Sequence, residues 1–192
     1  IELRGILPEA RIHVLNGLMA GDEHEILAHN LIPVLNDLDQ AARWRGVGDR
    51  PCALHIDTGM NRLGVSVDEV AGATDLNLAL VMSHLACAGQ PDHPLNAQQL
   101  ETFMSVSEQF SAISKSLANS AGVLLGPEYC FDMARCGIGL YGGVHTHGMS
   151  NPFKPVVTLK ARVLQQRWIE PPATVGYEAL YTVEDRIRLA TL

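Results

Sequence analysis

The sequence predicts an α/β protein: a partial (β/α)8 barrel with about six of the eight strands such a barrel needs, followed by the start of a C-terminal β-strand domain. Three observations carry this reading. Short apolar runs recur at intervals of about 15 to 40 residues with helical stretches between them, the pattern of successive right-handed βαβ units on a parallel sheet. The chain has 192 residues, fewer than the roughly 250 of a closed barrel. After Pro155 the pattern changes to alternation. The barrel part is therefore assigned to residues 1–154 and the β-domain to residues 155–192.

In order along the chain, Arg11 to Gly17 is an apolar run closed by Asn-Gly and reads as a strand. A helix follows, with Asp22 as its cap candidate and acidic residues in its first turn, then a strand at Leu31 to Asn36. The unit repeats as helix Leu38 to Trp44, strand Pro51 to Asp57, short helix Val67 to Thr74 and strand Ala79 to Ala86. Asn96 to Leu117 has Leu100, Phe103, Val106, Phe110 and Ile113 near helical spacing, which predicts a long helix capped by Asn96. Leu117 to Ala121 and Met133 to Cys136 complete the six strands. Beyond Pro155, Val157, Leu159, Ala161 and Val163 alternate with polar residues as in a half-exposed antiparallel strand, with further strands at Tyr177 to Thr182 and Arg186 to Leu192.

Hydrophobic residues make up 47% of the chain and mean hydropathy is +0.08, which supports a substantial core and excludes wholesale disorder. A formal charge of −7 without a Lys/Arg cluster argues against a nucleic-acid surface and points to small molecules or protein as partners. Cys52, Cys87, Cys130 and Cys136 have no CxxC spacing and suit a reduced, cytoplasmic setting. No stretch approaches ~20 apolar residues and no basic segment precedes an apolar one, so neither a membrane span nor a signal peptide is expected. The chain opens on Ile1 and stops at Leu192 inside an alternating stretch, and is expected to be an internal piece of a longer protein.

Ligands of α/β proteins bind at the carboxyl ends of the strands. The loop His55 to Gly64 therefore places Asp57, Thr58 and Arg62 where chemistry is expected, although Asp-Thr-Gly also suits a plain turn closed by an Asx hydrogen bond. His84 sits within an apolar strand, either as a hydrogen-bonded core residue or as a ligand-facing one. Asn119 and Ser120 offer an amide and a hydroxyl for an anion or a turn. Arg135 is costly to bury unless paired, and Gly137 and Ile138 can point backbone N–H groups at an anion, so Ser120, Gly137 and Ile138 form a candidate phosphate site.

These segments resemble the bacterial alanine racemases, fold-type III pyridoxal-phosphate enzymes. The resemblance rests on His55 to Gly64, Ser83 to Ala88 with Pro91 to Phe103, Ser116 to Gly122, Asp132 to Gly143 and Val175 to Thr182, and covers the whole chain. It implies a PLP-dependent isomerase that interconverts L-alanine and D-alanine, the latter for peptidoglycan, in a homodimer. It further implies that Arg135 donates to the cofactor's pyridine nitrogen and that Ser120, Gly137 and Ile138 hold its phosphate. His84 would lie near the ring and Arg135, Asn119 would be a further cofactor-binding residue, and Arg62 would contact the substrate carboxylate and orient a catalytic tyrosine, with Arg62 and His84 as the catalytic residues of this chain.

The family uses two bases, a Schiff-base lysine and a tyrosine, and the resemblance places both outside this sequence. Lys115, Lys154 and Lys160 are the only lysines and none follows an early strand, so the 192-residue chain alone is expected not to racemise. Three positions depart from the family pattern. His55 stands where the family often has a lysine, which can be carbamylated so that its negative charge holds the arginine, so a small anion or a neutral imidazole acceptor is expected to take over the contact with Arg62. Cys136 replaces a proline, and Glu178 a glycine. The rival readings are a non-catalytic PLP-homeostasis barrel, against which the β-domain argues, and a barrel enzyme that holds a phosphorylated substrate without a cofactor.

Overall fold

A strand covered on both faces has no solvent side to alternate toward, and the runs Ile32–Leu35 and Cys52–His55 are accordingly buried at every position. The computed structural model describes residues 1–143 and 146–192 and divides into two units, Ile1–Val156 and Val157–Leu192. In the first unit the elements run α1 (Glu2–Ile6), β1 (His13–Val14), α2 (Glu23–Ala28), β2 (Ile32–Leu35), α3 (Leu38–Arg45), β3 (Cys52–His55), a 3-10 segment at Val67–Ala73, β4 (Leu78–Met82), α4 (Pro94–Ser107) and β5 (Lys115–Ser116). The five strands form one parallel sheet in sequence order, β1-β2-β3-β4-β5. This is the sheet of a truncated barrel. The sixth expected strand is marked by a single parallel bridge, Asn119 to Arg135.

Alternate strand residues serve two different interiors. Leu35, Leu54 and Val81 pack into the large core shared with Trp44, Val70, Phe103 and Phe110. Val34, Ala53, Leu80 and Met82 face the other way and cluster with Met133. Because side chains on a strand repeat every two residues, the next positions on that second face are Asn36, His55 and His84. The strand period thus carries an apolar inner layer into a polar one at the carboxyl end of the sheet.

α3 is capped by Asp37, whose carboxylate accepts from Gln40 N at 2.7 Å, and ends with Arg43 and Arg45 in its last turn. At α2, Asp22 holds the cap position without a side-chain cap bond. The long helix is shorter than its periodicity suggests. α4 begins at Pro94 behind His93, whose ring accepts from Leu95 N, while Asn96 is buried and donates to Gln90 O and Pro91 O. It stops at Ser107, one 3-10 turn carries Phe110 into the core, and Ser114 O already accepts from Val81 N at 2.9 Å. Pairing with β4 therefore claims residues that the apolar spacing assigned to the helix, and the strand expected at Leu117 to Ala121 falls instead at Lys115–Ser116.

In the second unit, β6 (Gln165–Ile169) pairs antiparallel with β9 (Ile187–Thr191), and β7 (Ala173–Val175) with β8 (Tyr181–Val183). Residues 157–163 carry the strand pattern but form no strand, because no described residue offers them a ladder. Tyr177–Ala179 is a 3-10 turn, and the following strand begins only at Tyr181. Among the described residues no helix is long and apolar enough to cross a membrane, and all four cysteines are free.

Candidate active site

The loop after β3 is built by its own backbone. Asp57 N donates to Val65 O and Val65 N to His55 O, each at 2.9 Å, so the chain leaves the strand and returns to lie parallel beside its end. Within that loop Asp57 Oδ1 accepts from Gly59 N and Met60 N, each at 2.9 Å. Burial pushes the Asp57 carboxyl up, but the backbone N–H groups of Gly59, Asn61, Met60 and Arg62 outweigh it and hold its pKa below the usual value. The carboxylate is thus an organiser of the loop. Gly64 closes it at φ +119, where a Cβ would lie 2.7 Å from Asp57 N. The loop presents Arg62, exposed, at the mouth of a cavity of ≈ 470 Å³.

Arg135 is held at the base of that cavity. Its Nη1 donates to Ser116 Oγ, and its Nη2 faces Ser83 O, His84 Nδ1 at 3.3 Å and Leu117 O at 3.5 Å. A guanidinium has five N–H donors, so at least one is left without an acceptor among the described residues. Burial lowers the Arg135 pKa to about 10, which leaves it cationic at neutral pH. Ser116 in turn donates to Met133 O at 2.5 Å, tying the arginine's anchor to the segment that carries it.

His84 is kept neutral. Burial, then the charges of Arg135 and Arg62, lower its pKa to about 4. Since Arg135 can only donate, Nδ1 must accept and the ring proton belongs on Nε2. Asn119 has its amide fixed by two other bonds, Nδ2 to Leu85 O at 3.2 Å and Gly122 N to Oδ1 at 2.9 Å. Its Nδ2 therefore meets the His84 Nε2–H as donor against donor, and their 3.4 Å separation is a contact and not a bond.

His55 has the opposite tautomer. Asn36 Nδ2 donates to Val34 O at 2.9 Å and Leu15 O at 3.2 Å, which turns Oδ1 toward His55 Nδ1 at 2.8 Å. An amide oxygen only accepts, so Nδ1 carries the proton and Nε2 carries the lone pair. Burial, followed by Arg135 and His84, lowers the His55 pKa to about 4 against the opposing pull of Asp57.

On the far wall Ser120, buried, accepts from Gly139 N at 3.0 Å, which latches the glycine loop to the end of the fifth strand segment. A Cβ on Gly137 would meet nothing within 4 Å, so the backbone there is open to an occupant of the cavity. Arg62, His84, Asn119, Ser120, Arg135, Gly137 and Ile138, each singled out in the sequence, line this one cavity, together with His55, Met82 and Leu15. Thr58 lies behind it, buried and bonded to Ser83 Oγ at 2.7 Å.

Sequence reasoning missed Asn36, Ser83, Ser116 and Gln99. The signal for Asn36 was its inward parity two residues after Val34, and for Gln99 its position on the apolar face of α4, four residues before Phe103. Ser83 and Ser116 act through a backbone carbonyl and a hydroxyl on Arg135, which no motif announces.

A family model described as alanine racemase, N-terminal domain, matches residues 1–145. The alanine racemase of Rhodospirillum rubrum is 46% identical over 100% of the chain, and the biosynthetic alanine racemase of Agrobacterium fabrum is 43% identical over 98% of it. The chain covers 55% and 51% of those two proteins, about half the length of the curated relatives it matches. Among solved structures, alanine racemase from Bartonella henselae with covalently bound pyridoxal phosphate is 32% identical, with 98% of this chain and 56% of that chain covered and a TM-score of 0.78. The biosynthetic alanine racemase from Pseudomonas aeruginosa is 31% identical at the same coverage, with a TM-score of 0.84.

Proposed function

The chain belongs to the alanine racemase family, and from that premise we propose that it supplies the cofactor-holding part of a pyridoxal-5'-phosphate-dependent racemase of L- and D-alanine. The observation that carries the reading is Arg135, a largely desolvated guanidinium that lines the cavity, fixed from Ser83, Ser116 and His84 and with more N–H donors than acceptors among the described residues. The donor set fits the cofactor. Ser120 and the open backbone at Gly137 and Ile138 suit its phosphate, and Arg135 suits an acceptor nitrogen on its ring.

When bound, the cofactor supplies an electron sink for the charge left on the substrate's Cα. Arg135 keeps its proton at neutral pH, so it would offer the ring nitrogen a hydrogen bond and not a proton, which would limit how deep that sink becomes. His84, neutral, accepts from Arg135 and holds its orientation without adding a second cation. Arg62 at the cavity mouth binds the substrate carboxylate. Among the described residues neither a lysine nor a tyrosine lines the cavity, and the two bases that would exchange the Cα proton are those the family resemblance assigns to other segments.

We further read residues 1–154 as the PLP-binding barrel part and 155–192 as the beginning of the β-domain, in a cytoplasmic homodimer that makes D-alanine for peptidoglycan. The test is the complete protein, purified with pyridoxal phosphate and assayed for D-alanine formed from L-alanine. Racemisation together with a cofactor absorbance band supports the reading. The band without turnover favours a homeostasis barrel, and neither property overturns both.

A further inference from the structure

Gln99 is wholly buried on α4, a position where an apolar side chain would pack without needing partners. All of its polar groups point at the cavity's two supporting loops. Oε1 accepts from Ala86 N at 2.9 Å, and Nε2 donates to His84 O at 2.9 Å and to Thr58 Oγ1 at 3.3 Å. The Ala86 N–H can only donate, so the amide orientation is fixed by its partners. Thr58 extends the network to Ser83 Oγ at 2.7 Å, and Ser83 O receives Arg135 Nη2. The Gln99 stem also backs the Arg62 loop directly, since a Cβ on Gly59 would stand 3.5 Å from Gln99 Cγ.

We propose that Gln99 is a positioning residue that, through Thr58, locks the Arg62 loop to the His84–Arg135 pair, so that substrate and cofactor contacts are held in one register. The proposal rests on the racemase reading for its kinetic consequence but not for the coupling itself. A single buried amide on α4 satisfied by two loops far apart in sequence, at Thr58 and at His84–Ala86, fixes their relative placement, because moving either one leaves a buried donor or acceptor unpaired. Thr58 carries the arm toward Arg62, and Gln99 carries both arms.

The experiment uses the complete protein with three substitutions, Thr58→Val, Thr58→Ser and Gln99→Leu. Removing the Thr58 hydroxyl, and with it the bonds to Gln99 and Ser83, is expected to raise KM for alanine about 10-fold in Thr58→Val, with kcat within about 2-fold. Thr58→Ser, which keeps the hydroxyl, recovers most of that loss. Gln99→Leu weakens pyridoxal phosphate binding as well and speeds amide hydrogen exchange at Ala86 and across residues 57–64. Wild-type KM in Thr58→Val, or no recovery in Thr58→Ser, overturns the proposal. So does exchange in Gln99→Leu that rises at Ala86 but not in the loop. If Gln99→Leu does not fold, the Thr58 pair still decides. If the unsubstituted protein neither binds the cofactor nor racemises, the racemase reading fails, while hydrogen exchange in Thr58→Val still reports whether the loops are coupled.

Discussion

Arg135 Nη2 stands 3.3 Å from His84 Nδ1, and because a guanidinium only donates, this contact decides where the imidazole keeps its proton. Asn36 decides the same question for His55 by presenting an oxygen. Two histidines in one cavity therefore hold opposite tautomers. In the protein labelled with 15N at histidine, His84 should show the Nε2–H pattern and His55 the Nδ1–H pattern at neutral pH. Identical tautomers for the two rings would contradict the donor assignments of Arg135 or Asn36.

Both rings are depressed to about 4 from the ordinary 6.5, and this fixes the sign of a pH effect. Above pH 6.5 the folded and unfolded chains both hold them neutral, and their contribution to stability is complete. As pH falls from there toward 4, the unfolded chain binds protons that the folded chain refuses, and stability declines. The limiting slope is about 1.4 kcal/mol per pH unit for each histidine kept neutral. Urea midpoints taken at intervals across that window should fall with pH before the ordinary carboxylates titrate. A flat profile would count against neutral burial.

Gly64 is where the Arg62 loop returns to its strand. Its φ of +119 and the 2.7 Å approach of a Cβ to Asp57 N leave room for no side chain, and the obstacle is backbone that cannot rotate away. Gly64→Ala should therefore destabilise the protein by at least about 2 kcal/mol and displace Arg62. The check is a denaturation midpoint together with KM for alanine in the complete protein, which should rise more than kcat falls. Gly5, where a Cβ meets nothing within 4 Å, is the control and should tolerate alanine.

How far the sequence exposes this site depends on how each residue acts. Arg62 is visible because its loop follows the carboxyl end of a strand, Arg135 because a charge at the end of an apolar run needs a reason, and Ser120 and Gly137 because hydroxyl and glycine loops suit anions. Asn36 and Gln99 are not, since their roles lie in which segments they join, and that is settled only when β2, β3 and α4 meet. Residues 157–163 mislead in the opposite direction. Their alternation describes a strand, but a strand exists only with a partner, and Gln165–Ile169 is where the ladder to Ile187–Thr191 begins. Helix α4 ends early for a similar reason: β4 captures Ser114 while Phe110 and Ile113 still carry the helical spacing into the core.

Asn36 offers the sharpest separation of packing from electrostatics. In Asn36→Asp a carboxylate faces His55 Nδ1, and an anion at hydrogen-bond distance favours the charged imidazole, so the His55 pKa should rise from about 4. The same substitution removes the donor to Val34 O and Leu15 O, which should cost about 1–3 kcal/mol at neutral pH. The two effects have different pH signatures. Lost donors lower stability equally at every pH, whereas a raised pKa removes one histidine's share of the slope between pH 6.5 and 4. Asn36→Ala keeps His55 depressed and should show the offset with the slope retained. Parallel stability profiles for Asn36→Asp and Asn36→Ala would show that the Asn36 oxygen does not govern the charge of His55. A shallower fall between pH 6.5 and 4 in Asn36→Asp than in Asn36→Ala would show that it does.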